Sequence, residues 1–326
     1  MPDGNAPDQP RTLRSLRDLA QAGLIPAAAI PQLDQVAERY ATAVTPAMVA
    51  LINPADPADP IGMQYVPDAA EALIAPHETE DPTADAPFTP VKGVVHRYPD
   101  RALLKPLLAC PVYCRFCFRR EKVGPDGGVL TAAELDAAMA WVAAHPAIRE
   151  VILTGGDPLM LSPRRLQEIL SRLAALAHIE TLRIHTRVPV ADPARVTPAL
   201  VDALRHSKPV FIAIHANHAR EFTPEAGGAA LRLAEAGVPL LGQSVLLRGI
   251  NDEAEKLEAL FRAMIRHRIK PYYLHSLDAA PGTARFQVAP DQGLALMAAL
   301  RGRLPGHALP LFVYETPNGG GKRPVE

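Results

Sequence analysis

The 326-residue chain contains three cysteines, Cys110, Cys114 and Cys117, all within eight residues. A disulfide framework would spread an even number of cysteines along a short secreted chain. Three thiols packed together point instead to a metal. A structural zinc ion needs four ligands, usually in two separated pairs; no second pair exists and no histidine lies in the motif. A cubane iron–sulfur cluster normally takes four thiolates, so three would leave one iron open to a small molecule. Two further patterns stand out. Gly155-Gly156-Asp157 follows the apolar run at 151–154; glycines let backbone approach a ligand edge-on, and a carboxylate accepts from an ammonium. Near the other end, Asn318-Gly319-Gly320-Gly321-Lys322 sets a lysine among glycines, which on its own reads as a disordered tail. A P-loop is a poor fit there, because Thr316 stands where the first glycine belongs and Arg323 replaces the Ser/Thr.

Such residues need a scaffold, and the texture after Arg101 supplies one. Apolar runs at 102–108, 151–154, 181–185, 210–214, 240–246 and 272–275 alternate with stretches of helical periodicity such as TAAELDAAMAWVAAH and SPRRLQEILSRLAAL. The first of these opens on Thr131 with Glu134 three residues on, the pattern of a capping box. Strands recurring about every 30 residues with helices between them predict parallel βαβ units. Six units predict an α/β fold, an incomplete (β/α)6 TIM-like barrel, in which chemistry gathers where strands end. The cysteines, Gly155–Asp157, His185–Arg187, His215–His218 and Asp278 all fall at such ends. The expected organisation is a disordered tail over 1–12, a helical then extended region over 13–100, the barrel over 101–303, and a C-terminal clip of strand and glycine loop over 304–326. The 13–100 region lacks an obvious core of its own and is expected to pack on the barrel.

Composition narrows the classes of function. With 48% hydrophobic residues the chain can fill one large core. A net charge of −1 and 5% aromatics give no pull toward nucleic acid and no stacking platform for bases. No apolar run is long enough for a membrane span, and the N-terminus MPDGNAPDQPRT has no basic segment followed by an apolar one. The expected location is cytoplasmic.

The cysteine spacing, with Phe116 before the last cysteine, resembles the signature of the radical S-adenosylmethionine superfamily, and Gly155-Gly156-Asp157 looks like its GGE-type motif. More narrowly, YPDRALLKPLLACPVYCRFCFRR, TGGDPLM, LRIHTRVPV, HANH, LLGQSVLLRGIND and PYYLHSLD, in this order, resemble the lysine 2,3-aminomutase family over about residues 60–326. The resemblance implies a 4Fe–4S cluster on Cys110, Cys114 and Cys117 whose open iron binds S-adenosylmethionine. It implies that the 5′-deoxyadenosyl radical removes a β-hydrogen from L-lysine held as an imine on pyridoxal 5′-phosphate, after which the nitrogen migrates from the α- to the β-carbon.

Residue by residue, Lys322 matches the family's Schiff-base lysine and Arg101 a position that contacts pyridoxal phosphate. Gly155, Gly156 and Asp157 match the element that meets the methionine amino group, with Gln243 and His215 near the S-adenosylmethionine site. Arg119 matches the arginine for the substrate carboxylate, a task suited to a planar bidentate donor, although Arg115, Arg120 and Lys122 around it also read as a solvated basic run. Asp278 and Glu315 match the acidic pair for the distal ammonium, a pair that would repel a glutamate side chain. Glu315 departs from the aspartate of clostridial-type enzymes. Both this glutamate and the lack of further cysteines resemble the shorter branch that makes (R)-β-lysine for elongation factor P; the Lys322 loop looks more like the free-lysine enzymes. An electron donor such as flavodoxin or ferredoxin is implied, and a homo-oligomer is compatible. The rivals are an aminomutase for glutamate or arginine and a non-catalytic iron–sulfur protein. His185 and His218 read as structural.

Overall fold

The computed structural model describes residues 11–316 and 320–326; most of the expected tail, residues 1–10, and part of the glycine loop, residues 317–319, lie outside the described residues. Nine strands form one sheet in sequence order: β1 (Val94–Tyr98), β2 (Arg101–Leu107), β3 (Glu150–Gly155), β4 (Thr181–Thr186), β5 (Val210–His215), β6 (Leu240–Val245), β7 (Lys270–His275), β8 (Leu311–Thr316) and β9 (Gly321–Pro324). Strands β2 to β8 pair in parallel, whereas β1 and β9 add antiparallel strands at the two edges. Helices such as Ala132–Ala143, Pro163–Ala174, Pro224–Glu235 and Ala254–Arg266 fill the crossovers. The result is a nearly closed partial TIM barrel. The helix after β2 carries the expected capping box between Thr131 and Glu134.

Two strands exceed the sequence expectation. The 94–98 segment, read as irregular chain, is the hairpin partner of β2, and the glycine loop continues into β9. Edge strands β1 and β9 are not paired with each other; side chains cross the seam instead. The Tyr98 hydroxyl accepts the Lys322 backbone N–H at 2.6 Å, and Arg97 donates to Glu315 at 2.8 Å. Gly321 sits at φ +68°, and a β-carbon there would lie 2.6 Å from the Tyr98 ring, so only glycine lets the two edges meet.

The N-terminal region is less dependent than its composition implies. Short helices Leu16–Gln21, Ile30–Arg39, Pro46–Val49 and Gly62–Tyr65 gather Leu19, Leu33, Met48, Ile61 and Tyr65 into an apolar cluster. That cluster is completed by Val112, which lies between the first two cysteines. Backbone bonds reinforce the docking: Tyr113 N–H donates to the Ala43 carbonyl at 3.2 Å and Arg115 N–H to that of Gln64 at 2.8 Å.

The strongest tie is electrostatic. Glu71 has no solvent exposure, and its carboxylate accepts from the Arg115 guanidinium at 3.0 and 2.6 Å and also pairs with Arg120. Arg285 approaches it at 3.5 Å. Arg115 and Arg120 are therefore buried, not a solvated basic run. Burial alone would raise the Glu71 pKa, but the arginines outweigh it and hold the carboxyl below its usual range. Removing one partner of a buried pair leaves an uncompensated charge, a loss of about 3–5 kcal/mol. Glu71→Gln is expected to lower unfolding free energy by that order in denaturant titration and to reduce iron bound after reconstitution; an unchanged midpoint and iron content would remove Glu71 from this role.

Candidate active site

The three cysteines follow the carboxyl end of β2 and line one cavity of about 230 Å³, together with Arg119, Gly155, Gly156, Asp157, Arg187, His215, Gln243, Asp278, Glu315 and Lys322. Burial pushes all three thiols up, Cys117 to about 11, so the metal-free loop holds neutral thiols and must shed protons to bind metal. Among the described residues no three His, Cys, Asp or Glu side chains are grouped to hold a single metal ion. Three thiols on the wall of one cavity can supply three of the four thiolates that a cubane takes. Arg187 donates to Cys114 Sγ at 3.1 Å and is itself gripped by Glu221 at 2.7 Å and Gln64 at 2.5 Å.

The Gly-Gly-Asp element works differently from its sequence reading. Gly155 has φ +115°, and a β-carbon there would sit 2.5 Å from the Leu107 carbonyl; one on Gly156 would press still closer on that of Ala109. Gly156 and Asp157 N–H groups donate to these two carbonyls at 2.9 Å. What approaches the glycines is the base of the cysteine loop itself. The Asp157 carboxylate accepts from Thr186 Oγ1 at 2.7 Å and from the N–H groups of Leu159, Arg187 and Val188 at 3.0, 2.6 and 3.2 Å. Both oxygens are thereby engaged in tying the end of β3 to the end of β4, not turned to an ammonium. His215 and Gln243 are register partners on β5 and β6. The His215 ring bonds Asn217 at 3.1 Å, and burial keeps it neutral.

At the other end of the cavity Lys322 lies opposite Glu315 in the β8–β9 ladder, its Nζ 2.6 Å from Glu315 Oε2. Lys322 also borders a second cavity of about 310 Å³ inside the barrel, lined by Tyr98, Arg101, Arg183, Tyr272 and Tyr273. Arg101 belongs to this second space only, stacked 3.9 Å over the Tyr98 ring and paired with Asp100. With Arg97 also on this lining, an amine, three guanidiniums and three phenols suit an aromatic aldehyde bearing a phosphate. His185, read from sequence as structural, borders both cavities with a buried Nε2 that has no hydrogen-bond partner among the described residues. His218 caps a 3-10 turn.

Arg119 faces the cavity but is held by Asp85, with Nη2 and Nε at 3.0 and 3.2 Å. Asp278 has no side-chain hydrogen bond or ion pair among the described residues. Burial raises its pKa to about 6, against the opposing pull of Lys322.

The radical SAM superfamily pattern matches residues 104–261. The chain is 40% identical to the L-lysine 2,3-aminomutase of Clostridium subterminale over 87% of this chain and 68% of that one. It is 37% identical to the L-lysine 2,3-aminomutase of Escherichia coli, covering 88% and 84%. It is also 35% identical to the glutamate 2,3-aminomutase of Clostridioides difficile, covering 90% and 69%. The chain belongs to the lysine 2,3-aminomutase family. As a member of this radical S-adenosylmethionine family it is an isomerase that uses a 4Fe–4S cluster and S-adenosylmethionine. No helix among the described residues is long and apolar enough to cross a membrane.

The residues that sequence reasoning missed here are Glu71, Asp85, Arg97 and Glu221, the partner of Arg187. Two of them carried a local signal: Glu71 with Asp68, and Glu221 with His218, form capping boxes three residues apart. Asp278 generates a pH prediction. Between pH 3.8 and about 6 the folded chain keeps a proton that the unfolded chain has released, so this group's contribution to stability falls as pH rises through that window. Its attraction for a cation rises over the same range. L-Lysine binding, measured by calorimetry, is expected to tighten as pH rises through about 6, and Asp278→Asn to abolish that dependence; a flat wild-type profile would contradict the assignment.

Proposed function

We propose that this enzyme interconverts L-lysine and β-lysine, with pyridoxal 5′-phosphate as a further cofactor on Lys322. The observation that carries the reading is that Cys110, Cys114, Cys117, Arg119, Asp278, Glu315 and Lys322 line one cavity. When bound, the cluster with S-adenosylmethionine supplies a carbon radical, and pyridoxal phosphate supplies a ring that carries the migrating nitrogen. The chain's own residues bind and orient. Cys110, Cys114 and Cys117 would hold three irons, and the backbone at Gly155, Gly156 and Asp157, with His215 and Gln243, would border S-adenosylmethionine. Arg101 and Arg183 would meet the cofactor phosphate in the inner cavity, which Lys322 joins to the radical cavity. Arg119 would receive the substrate carboxylate, sharing its guanidinium with Asp85.

The distal end favours lysine over glutamate, because Asp278 and Glu315 attract an ammonium and repel a carboxylate. One net electron must enter from outside the chain, a role suited to a flavodoxin or ferredoxin, and a cytoplasmic setting would suit the reduced cluster. Functionally, residues 13–100 would serve as the brace of the cysteine loop, 101–303 as the radical barrel and 304–326 as the clip that presents Lys322.

The test is anaerobic reconstitution with iron and sulfide, then incubation with dithionite, S-adenosylmethionine, pyridoxal phosphate and L-lysine. β-Lysine is the expected product, with none of the β-isomer from L-glutamate or L-arginine. 5′-Deoxyadenosine without β-lysine would overturn the substrate. Lys322→Ala is expected to lose the visible band of the lysine-bound cofactor while keeping the cluster spectrum; retention of that band would move the cofactor elsewhere.

A further inference from the structure

From Arg119 to Lys322, both on the lining of the cavity, runs a continuous chain of ion pairs, buried except at Lys322, whose side chain is 33% exposed. Asp85 accepts from Arg119 through Oδ2 at 3.0 Å and from Arg97 Nη2 through Oδ1 at 3.1 Å. The other terminal nitrogen of the same guanidinium, Arg97 Nη1, donates to Glu315 Oε1 at 2.8 Å, and Glu315 Oε2 holds Lys322. Lys105 Nζ lies 3.5 Å from Asp85, and Thr83 donates to it at 3.3 Å. The side chains of Arg97, Asp85 and Glu315 are each less than a tenth exposed, so solvent neither screens these pairs nor competes for them. The cations around Asp85 outweigh its burial and depress its carboxyl to about 2.

A guanidinium is planar and rigid, and its two terminal nitrogens cannot move independently. Carboxylates on Nη1 and Nη2 of one arginine are therefore fixed relative to each other. Here one of them orients Arg119, which faces the substrate carboxylate, and the other is Glu315, which faces the distal ammonium with Asp278. We propose that Arg97 is a positioning residue that links the two recognition ends of the cavity and sets the length of amino acid that fits between them. The proposal rests on the reading that Arg119 and Glu315 receive the two ends of the substrate. Arg97 itself need not touch the substrate. Its place on β1, at the barrel seam, means that the ruler also crosses that seam: β1 carries it, and β8, the neighbour of edge strand β9, carries Glu315.

Arg97→Lys keeps a cation at the seam but offers one ammonium on a flexible stem, which cannot hold two carboxylates in one plane. The readout is the ratio of dissociation constants for L-ornithine and L-lysine, one methylene apart. It is measured by calorimetry on protein loaded with cluster and pyridoxal phosphate, without S-adenosylmethionine or reductant. One methylene in a fitted site is worth about 10–200-fold; wild type is expected in that range, and Arg97→Lys is expected to bring the ratio down by about tenfold or to unity. Equal weakening of both ligands with the ratio preserved would make Arg97 merely structural and overturn the proposal. Should Arg97→Lys fail to fold or to hold iron, Asp85→Asn is read in the same way, since it releases the Arg119 end; a preserved ratio there overturns the proposal. Wild-type protein that bound neither amino acid would overturn the substrate reading and the ruler together.

Discussion

A loop that must carry three thiolates into a buried space cannot be held by hydrophobic contacts alone. Each thiolate costs desolvation, and in the metal-free protein burial drives all three thiols toward the neutral form. What makes the loop a fixed object is the Glu71 carboxylate, which anchors Arg115 and Arg120 on either side of Cys117. With Arg187 on Cys114 and Arg119 beyond Cys117, the same arrangement surrounds the sulfurs with guanidinium groups. Positive charge placed there suits an anionic cluster. A carboxylate far from the sulfurs thus stabilises the cationic frame, and the N-terminal region exists in part to deliver it.

The second constraint is the open seam of the barrel. A sheet of this size that stops short of closure leaves two edges, and edges need cover. Here β1 and β9 meet through Tyr98, Arg97, Glu315 and Lys322 instead of a backbone ladder. Of these, Arg97, Glu315 and Lys322 border both cavities, so side chains that close the barrel also build the site. Gly321 is required at this point because any β-carbon would collide with Tyr98. The glycines of the tail therefore serve the meeting of strands as much as the approach of a ligand.

Residues whose chemistry is local were legible in the sequence. Three cysteines at fixed spacing are such a signal, and strands β2 to β7 follow from apolar runs at regular intervals; Lys322 and the acid pair, which line the same cavity, were reached only through the family resemblance. Residues whose meaning depends on distant partners were not. Glu71 meets Arg115 and Arg120 across 44 and 49 positions, and Arg97 meets Glu315 across 218; no window on the sequence contains both members. Strand β9, with the sequence GKRP, has no apolar pattern and forms only because β8 offers it a register. The bonds of Asp157 with Thr186, Arg187 and Val188, 29 to 31 positions on, were likewise beyond any local window.

The central claim is that the cysteine cavity and Lys322 serve a single radical reaction. The most direct measurement uses S-adenosylmethionine deuterated at the 5′ carbon, with L-lysine and the fully loaded enzyme. If one site performs the reaction, hydrogen passes from substrate to the adenosyl carbon and back, and deuterium appears in the recovered lysine and β-lysine. If 5′-deoxyadenosine accumulates and deuterium never reaches the amino acid, the two halves of the cavity do not act together, and the account is wrong.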